Sequence, residues 1–475
     1  MGVYTTIFLY ALTSSVFFPV FQSLIFYKAC ITLSNSTEPE IACKSKETYA
    51  RDNSVHSMSS VILMASSTGL CVSAFFTSRW VGHLSDVKSR KLAFLIPFIG
   101  LFISDFTILI QVLYPRLSPY YFIVSEVIYG FFGGYMSITS GAFSIVSTMH
   151  SDQRERAKGI ARLEGTISLG STVGFLISSQ LKNFGYLGAA SFFLVAHFIA
   201  FMSAVFMRDP EKPDLQEKCV KRKPFCHGTD LLKDKKPPTS TNLKILYFSF
   251  ACSYFAFIGS TRILFFYLKH RFFWGAEEFG YLKAMNTGMT TIMSLALYPF
   301  LKNLGITDIR LAIFGLLTRS IGRAWYAVAW EGWTVFIVVF FEMFSKFPAT
   351  AMRSSIATNV GEHERGLAFS LVAVIEALCN LTSSWVFHLA WPLSLNVFPQ
   401  LSFVIMPIII LPAITLMILN MRYLEAPELN PEDLTTSIKK SDDISENVNV
   451  HDPEALPVLH HIPTETDTLT DSTSA

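Results

Sequence analysis

The chain has 475 residues, of which 51% are hydrophobic and only 16% charged, with 43 phenylalanines and a formal net charge of +2. Soluble proteins carry roughly 25% charged residues, so this chain lacks the polar surface that a water-soluble globule of its size needs. Its near-neutral balance points to no nucleic-acid partner, and its seven cysteines show no close-paired spacing of the kind that holds a metal.

A transmembrane helix needs about 20 consecutive apolar residues. Twelve such runs follow one another: 5–27, 58–80, 92–114, 120–148, 161–181, 188–207, 245–268, 280–301, 311–329, 334–357, 367–389 and 400–420. Lipid offers backbone groups no partner, so runs of this length are expected as helices rather than barrel strands. The expected fold class is an all-α membrane protein with twelve transmembrane helices. The first run lacks the basic start and small-residue cleavage site of a secretory signal, and it reads as the first span.

The runs divide six and six. Residues 1–207 form an N-terminal half and 245–420 a C-terminal half. Between them, 208–244 carries mixed charge and prolines and reads as a cytosolic linker. Residues 421–475 are acidic, rich in Ser and Thr and without apolar period, which predicts a disordered cytosolic tail.

Lysine and arginine set the orientation. With both termini cytosolic, the inner loops and their margins hold Lys88, Arg90, Lys91, Arg154, Arg156, Lys158, Lys302, Arg310 and Arg365, and the opposite loops are poor in cations. Asn35-Ser36-Thr37, in the first outer loop, is a glycosylation acceptor, usable only on the extracellular or lumenal face. Cys30 and Cys43 flank it; they could close a local disulfide there or remain free thiols.

Between the second and third runs lies Gly82-His83-Leu84-Ser85-Asp86-Val87-Lys88-Ser89-Arg90-Lys91, a charged loop in which Asp86 can cap one helix and reach a cation on its neighbour. A degraded copy, Gly305-Ile306-Thr307-Asp308-Ile309-Arg310, stands between two later runs, and Leu311-Ala312-Ile313-Phe314 then echoes Leu92-Ala93-Phe94. Two such loops in corresponding positions indicate a duplicated membrane protein.

Charges inside spans are expensive and mark function by default. Glu342, Lys346 and Arg353, four and seven residues apart, fall on one helical face. With Pro348 among them, they fit the wall of a water-filled cavity. Span five carries Glu164, Ser168, Ser171 and Ser178, with Gly170 and Gly174 permitting close packing. Span eleven offers Glu376, Asn380 and Ser384. Asp105 and Glu126 add carboxylates, and Arg262 and Arg323 supply counter-charges. Arg79 and Lys283, near span ends, read as snorkelling or structural cations. A carboxylate in a partly dry site can load a proton on one side and lose it on the other. An arginine beside it stays charged and can hold either that carboxylate or an anionic substrate. Glu164 and Glu342 are therefore the candidate proton carriers, and Arg353, Lys346, Arg262, Glu126 and Glu376 the candidate substrate ligands.

At these residues the chain resembles the major facilitator superfamily, over residues 1–420. More narrowly, it resembles the proton-coupled folate transporter family, solute carrier family 46. Three stretches carry the narrower likeness. They are Phe18-Pro19-Val20-Phe21-Gln22 with Phe26-Tyr27, Arg154 to Gly174 around Ala161-Arg162-Leu163-Glu164-Gly165, and Met352-Arg353-Ser354 with Glu364-Arg365-Gly366-Leu367-Ala368-Phe369-Ser370. The resemblance implies that Glu164 serves proton coupling, that Arg353 serves coupling and substrate binding, and that Asp86 and Arg90 act in conformational cycling. The chain departs from the folate carriers at Ser89, where the loop has a glycine, at Met149, where they carry an aspartate, near Thr287, where they carry a histidine, and at Arg262, which aligns with an aspartate.

The expected function is a secondary transporter rather than an enzyme, a proton-coupled symporter of an organic anion in the plasma or lysosomal membrane. It is expected to act as a monomer, with the proton as coupling ion and no cofactor. The alternative is a non-transporting, solute-sensing receptor on a transporter scaffold.

Overall fold

The computed structural model describes residues 2–44, 47, 49–87, 89–149, 153–208, 239–360 and 365–425. They belong to a compact unit, Met1–Glu425; a second unit, Ala426–Ala475, lies outside the described residues, as does 209–238, the body of the expected linker. A helix already begins at Thr239 and a short one runs over Met421–Glu425, so both the linker and the tail, as expected from composition, overreach into helix.

The described residues contain helices and no strand. The first set is α1 (Gly2–Leu33), the one-turn α2 (Pro39–Ala42), α3 (Asn53–Val87), α4 (Arg90–Leu113), α5 (Tyr121–Phe131), α6 (Gly134–Thr148), α7 (Gln153–Ser178) and α8 (Leu181–Val205). The second set is α9 (Thr239–Phe272), α10 (Ala276–Ile292), which continues through a π-turn at Met293–Leu297 into α11 (Tyr298–Asn303), then α12 (Asp308–Val328), α13 (Val338–Glu342), α14 (Phe347–Thr358), α15 (Arg365–Ser394), α16 (Leu401–Leu419) and α17 (Met421–Glu425).

Among the described residues nine helices are long and apolar enough to cross a membrane. The three expected spans that fall short, 161–181, 280–301 and 311–329, are helical all the same. They fall short for a physical reason: they carry Glu164, Lys283, Arg319 and Arg323, which face a cavity rather than lipid. The charged run Gly82 to Lys91 also differs from the expected loop. Nothing in it breaks a helix, so α3 continues through Val87, and the turn is made at Ser89, whose side chain caps α4 by accepting from Leu92 N at 3.0 Å.

Small residues let the sets close up. A Cβ on Gly170 would stand 2.6 Å from Phe8 O, and one on Gly174 would overlap Leu12 O, so α7 lies directly against the α1 backbone. Gly280 of α10 does the same for the contact between sets, where a Cβ would meet Ser178 Oγ at 2.7 Å. Further contacts join α3 to α15 and the turn after it: Ser67 Oγ lies 2.6 Å from Ser384 Oγ, Trp385 Nε1 donates to Thr68 Oγ1 at 2.8 Å, and Asn53 bonds Asn396. These sit on the half of α3 nearer Cys30 and Cys43, which form a disulfide with Cα atoms 5.9 Å apart. That end of the molecule is called the disulfide end below.

Candidate functional site

A cavity of about 410 Å³ opens between α7 of the first set and α9, α10, α12 and α14 of the second. Five cations line it: Lys283, Arg319, Arg323, Lys346 and Arg353; the wall's own carboxylate, Glu164, stands opposite on α7. Both Glu164 and Arg353 face this cavity.

The second-set wall is shaped by a helix break. Between Glu342 and Phe347 the helix is interrupted by turns, with Ser345 N donating to Glu342 O at 2.9 Å and Phe347 N to Phe344 O at 3.0 Å, and Pro348 sits in the first turn of α14, where a missing N–H costs nothing. Such an interruption leaves backbone carbonyls in need of partners. Arg319, 4% exposed, donates to Ser345 O and, at 2.7 Å, to Ser253 Oγ, and lies over the Phe257 ring at 4.9 Å. Lys346, at the break, donates to Thr291 Oγ1 at 3.2 Å and crosses to the first set, donating to Ser168 Oγ at 2.9 Å. Glu164, one turn before Ser168, acts on the same ammonium electrostatically.

The break also separates three residues that a continuous helix would align. Lys346 and Arg353 face the cavity, but Glu342 lies behind its wall. There its Oε1 is 3.1 Å from Arg323 Nε, an ion pair not aligned as a hydrogen bond, and its Oε2 accepts from Asn286 Nδ2 at 2.6 Å. Gly322 makes the room, since a Cβ there would stand 2.8 Å from Glu342 Cγ. Arg353 pairs with Glu376 and lies over the Phe250 ring at 5.5 Å.

A second chamber of about 310 Å³ lies where α1 and α3 meet α9 and α15. Arg262 donates to Asn380 Oδ1, and Asn380 Nδ2 donates to Tyr135 Oη at 2.8 Å, so the two sets are linked through one amide. Gln22 Nε2 adds a bond to Arg262 O at 3.2 Å. Asn380, although part of an Asn-Leu-Thr acceptor pattern, is 6% exposed and fully engaged.

Glu126 and Tyr135 line this chamber and a third, of about 360 Å³, inside the first set. The third holds Asp105 and a histidine that sequence reasoning missed: His197 Nδ1 is 2.5 Å from Asp105 Oδ2, and both side chains are buried. They are 92 positions apart, and no local pattern ties them.

Of the expected gate residues, Asp86 has a side chain outside the described residues, and Arg90 is half-buried at the first position of α4. The degraded copy of that motif is fully described. Thr307 caps α12, Asp308 accepts from Lys302 Nζ at 2.7 Å, Tyr298 Oη at 2.9 Å and Ser354 Oγ at 2.7 Å, and Arg310 Nε lies 3.1 Å from Glu425 Oε1. At the disulfide end, Asn35 is exposed.

A family model described as Major Facilitator Superfamily matches residues 3–384. The chain is 23% identical over 417 residues to the lysosomal proton-coupled steroid conjugate and bile acid symporter SLC46A3 of Gallus gallus, with 84% of this chain and 89% of that one covered. It is 22% identical over 359 residues to the proton-coupled folate transporter of Rattus norvegicus, with 73% and 75% covered. The crystal structure of the human organic anion transporter MFSD10 is similar in fold, with a TM-score of 0.58 at 15% identity over 88% of this chain and 98% of that one. The relatives are solute transporters rather than enzymes, both in solute carrier family 46, the family whose stretches the sequence carries. An α-helical, multi-pass secondary transporter of a small molecule, this chain belongs to the Major Facilitator Superfamily.

Proposed function

We propose that the chain is a proton-coupled symporter of an amphipathic organic anion, working by alternating access between its two helical sets. The supporting observation is the charge of the 410 Å³ cavity. Five cations line it, while Glu164, Glu342 and Glu376 are the carboxylates in or against its wall. An anion entering there relieves the excess, and Phe250, Tyr254 and Phe257 give its body an apolar surface. Glu164 is the coupling carboxylate. When it is protonated, Lys346 is freed to hold the substrate beside Arg353; when it ionises, it competes for Lys346. The relatives' substrates, steroid conjugates, bile acids and folate, share an anionic group on a large ring system, and they are the first compounds to try.

In this reading both termini are cytosolic, the disulfide end faces the acidic side, and the chain acts as a monomer in the plasma or the lysosomal membrane.

The test is uptake of a radiolabelled steroid sulfate, a bile acid and folate into proteoliposomes holding the purified protein, with and without an inward acid gradient. Gradient-driven uptake of at least one anion is expected. Arg353→Ala should lower it about tenfold or more, the effect of losing a charge-assisted contact of about 1.5–3 kcal/mol. Glu164→Gln should make it insensitive to the gradient. Saturable binding without uptake would instead make the chain a solute-sensing receptor.

A further inference from the structure

We propose that Asp105, His197 and Glu126 form a second proton-binding site, inside the first helical set and distinct from Glu164. Its place in a transport cycle rests on the symport reading above, but the site itself rests on geometry.

His197 of α8 and Asp105 of α4 are 2% and 1% exposed, and Nδ1 meets Oδ2 at 2.5 Å. The other ring nitrogen, Nε2, is buried with no hydrogen-bond partner among the described residues. That vacancy belongs to a ring that lines the 360 Å³ chamber together with Glu126 of α5, which is 7% exposed. With Nδ1 committed to Asp105, Nε2 is either a lone pair open to a proton or an N–H open to an acceptor.

The surroundings leave the cluster's charge to protons. The groups facing it are Tyr10 of α1, whose ring centroid is 6.3 Å from that of His197, Tyr129 of α5 and Tyr135 of α6. The residues of α7 in this wall, Ile167, Ser171 and Phe175, are uncharged, and no lysine or arginine lines this chamber among the described residues. Beyond Glu126, in the adjoining chamber, stand Cys71 of α3, Arg262 of α9 and His388 of α15, with Arg262 already bonded to Asn380.

Two carboxylates and one imidazole, all deprotonated, would place two negative charges in this buried chamber. A proton on His197 leaves one, and a second on a carboxylate leaves none. Unbalanced charge is costly where water is scarce, so the three groups bind protons as a coupled unit rather than singly. A cycle that uses both this unit and Glu164 moves more protons per substrate than Glu164 alone can carry.

The test needs no substrate. Infrared difference spectra are recorded on the purified full-length protein in lipid between about pH 8.5 and about pH 5.5, a window that spans the ordinary imidazole range. Acid should bring up imidazolium and protonated-carboxyl bands. The imidazolium signal should shrink in His197→Gln and the carboxyl signal in Glu126→Gln, whereas Glu164→Gln should leave the imidazolium signal unchanged and remove only its own share of the carboxyl signal. Should His197→Gln fail to fold, Asp105→Asn, which keeps an oxygen on the imidazole, and Glu126→Gln carry the comparison. Spectra of the foldable variants that superimpose on wild type would overturn the site, whatever the uptake assay shows. Loss of gradient-driven uptake with the spectra intact would count against the symport reading alone.

Discussion

Lys346 reaches out of the broken helix of the second set to Ser168 of the first, Nζ to Oγ 2.9 Å, one helical turn from Glu164. The contact joins the two bodies that must separate and does so beside the carboxylate assigned to the proton. A cation held by two hydroxyls, Ser168 and Thr291, is only partly satisfied and is available to a stronger anionic partner. Lys346→Met keeps the bulk of the stem and removes the charge. It should weaken anion uptake about tenfold, read as a rise in the half-saturating concentration, whereas Ser168→Ala should have a small effect. Equal affinity in Lys346→Met and wild type would remove the ammonium from the binding site.

Arg323 and Glu342 form a buried pair, each side chain about 2% exposed. Removing one partner from such a pair leaves the other charge stranded and costs roughly 3–5 kcal/mol, whereas replacing both by neutral groups costs far less. Glu342→Ala should therefore lower the thermal midpoint of the purified protein strongly, and Arg323→Met combined with Glu342→Leu should recover most of the loss. The same double variant separates stability from proton carriage: if it regains its midpoint and still couples uptake to pH, Glu342 is structural.

The apolar runs were legible because a bilayer demands length, and no other environment asks for 20 apolar residues in a row. The charged faces were legible where the helix stays regular, so Glu376, Asn380 and Ser384 at four-residue spacing all face partners: Arg353, Arg262 and Ser67. The spacing argument misplaced Glu342 because turns interrupt the α-helix between Glu342 and Phe347, and a break rotates everything on its far side. Lys283, read as a snorkelling or structural cation, has a side chain that lines the cavity. His197 was invisible because its partner sits on another helix, and periodicity within a segment says nothing about contacts between segments.

Gly170 and Gly174 set how closely α7 approaches α1, while Gly165 on the same helix has only Leu295 Cδ1 near its would-be Cβ, at 3.9 Å. Overpacking a tight contact typically costs 1–3 kcal/mol, more where backbone is the obstacle. Gly174→Val should lower the yield of folded protein, measured by fluorescence-detected size exclusion, and Gly165→Ala should leave it unchanged. A normal profile for Gly174→Val would show that the two helices can part without cost.

The disulfide Cys30–Cys43 and the exposed Asn35 occupy one short segment. A cross-link closing a loop of this length typically contributes about 2–4 kcal/mol, here to the local fold of that segment. Cys43→Ser should make 34–52 newly sensitive to limited proteolysis relative to wild type. Asn35→Gln should abolish the mobility shift produced by peptide-N-glycosidase. Persistence of the shift in Asn35→Gln would place the glycan elsewhere, and absence of any shift in wild type would count against an outer or lumenal position.

His56 of α3 and His270 of α9 face each other across the two sets at the disulfide end, ring centroids 5.5 Å apart, with Trp391 edge-on to both. His56 Nε2 lies 2.8 Å from Ala50 O. Charging both rings at that separation would cost roughly 3 kcal/mol at an effective dielectric constant of about 20, so the contacting arrangement resists protonation. Acid therefore favours whichever arrangement moves the rings apart, which is an opening at this end. Cys71, in the chamber below, is the reporter. In a background with the other free cysteines replaced, labelling of Cys71 by an impermeant maleimide from the disulfide side should rise as the pH falls. His270→Phe keeps an aromatic ring against Trp391 but cannot charge, so it should flatten that response without blocking labelling at neutral pH. A response of unchanged size in His270→Phe would move the acid sensor away from this pair.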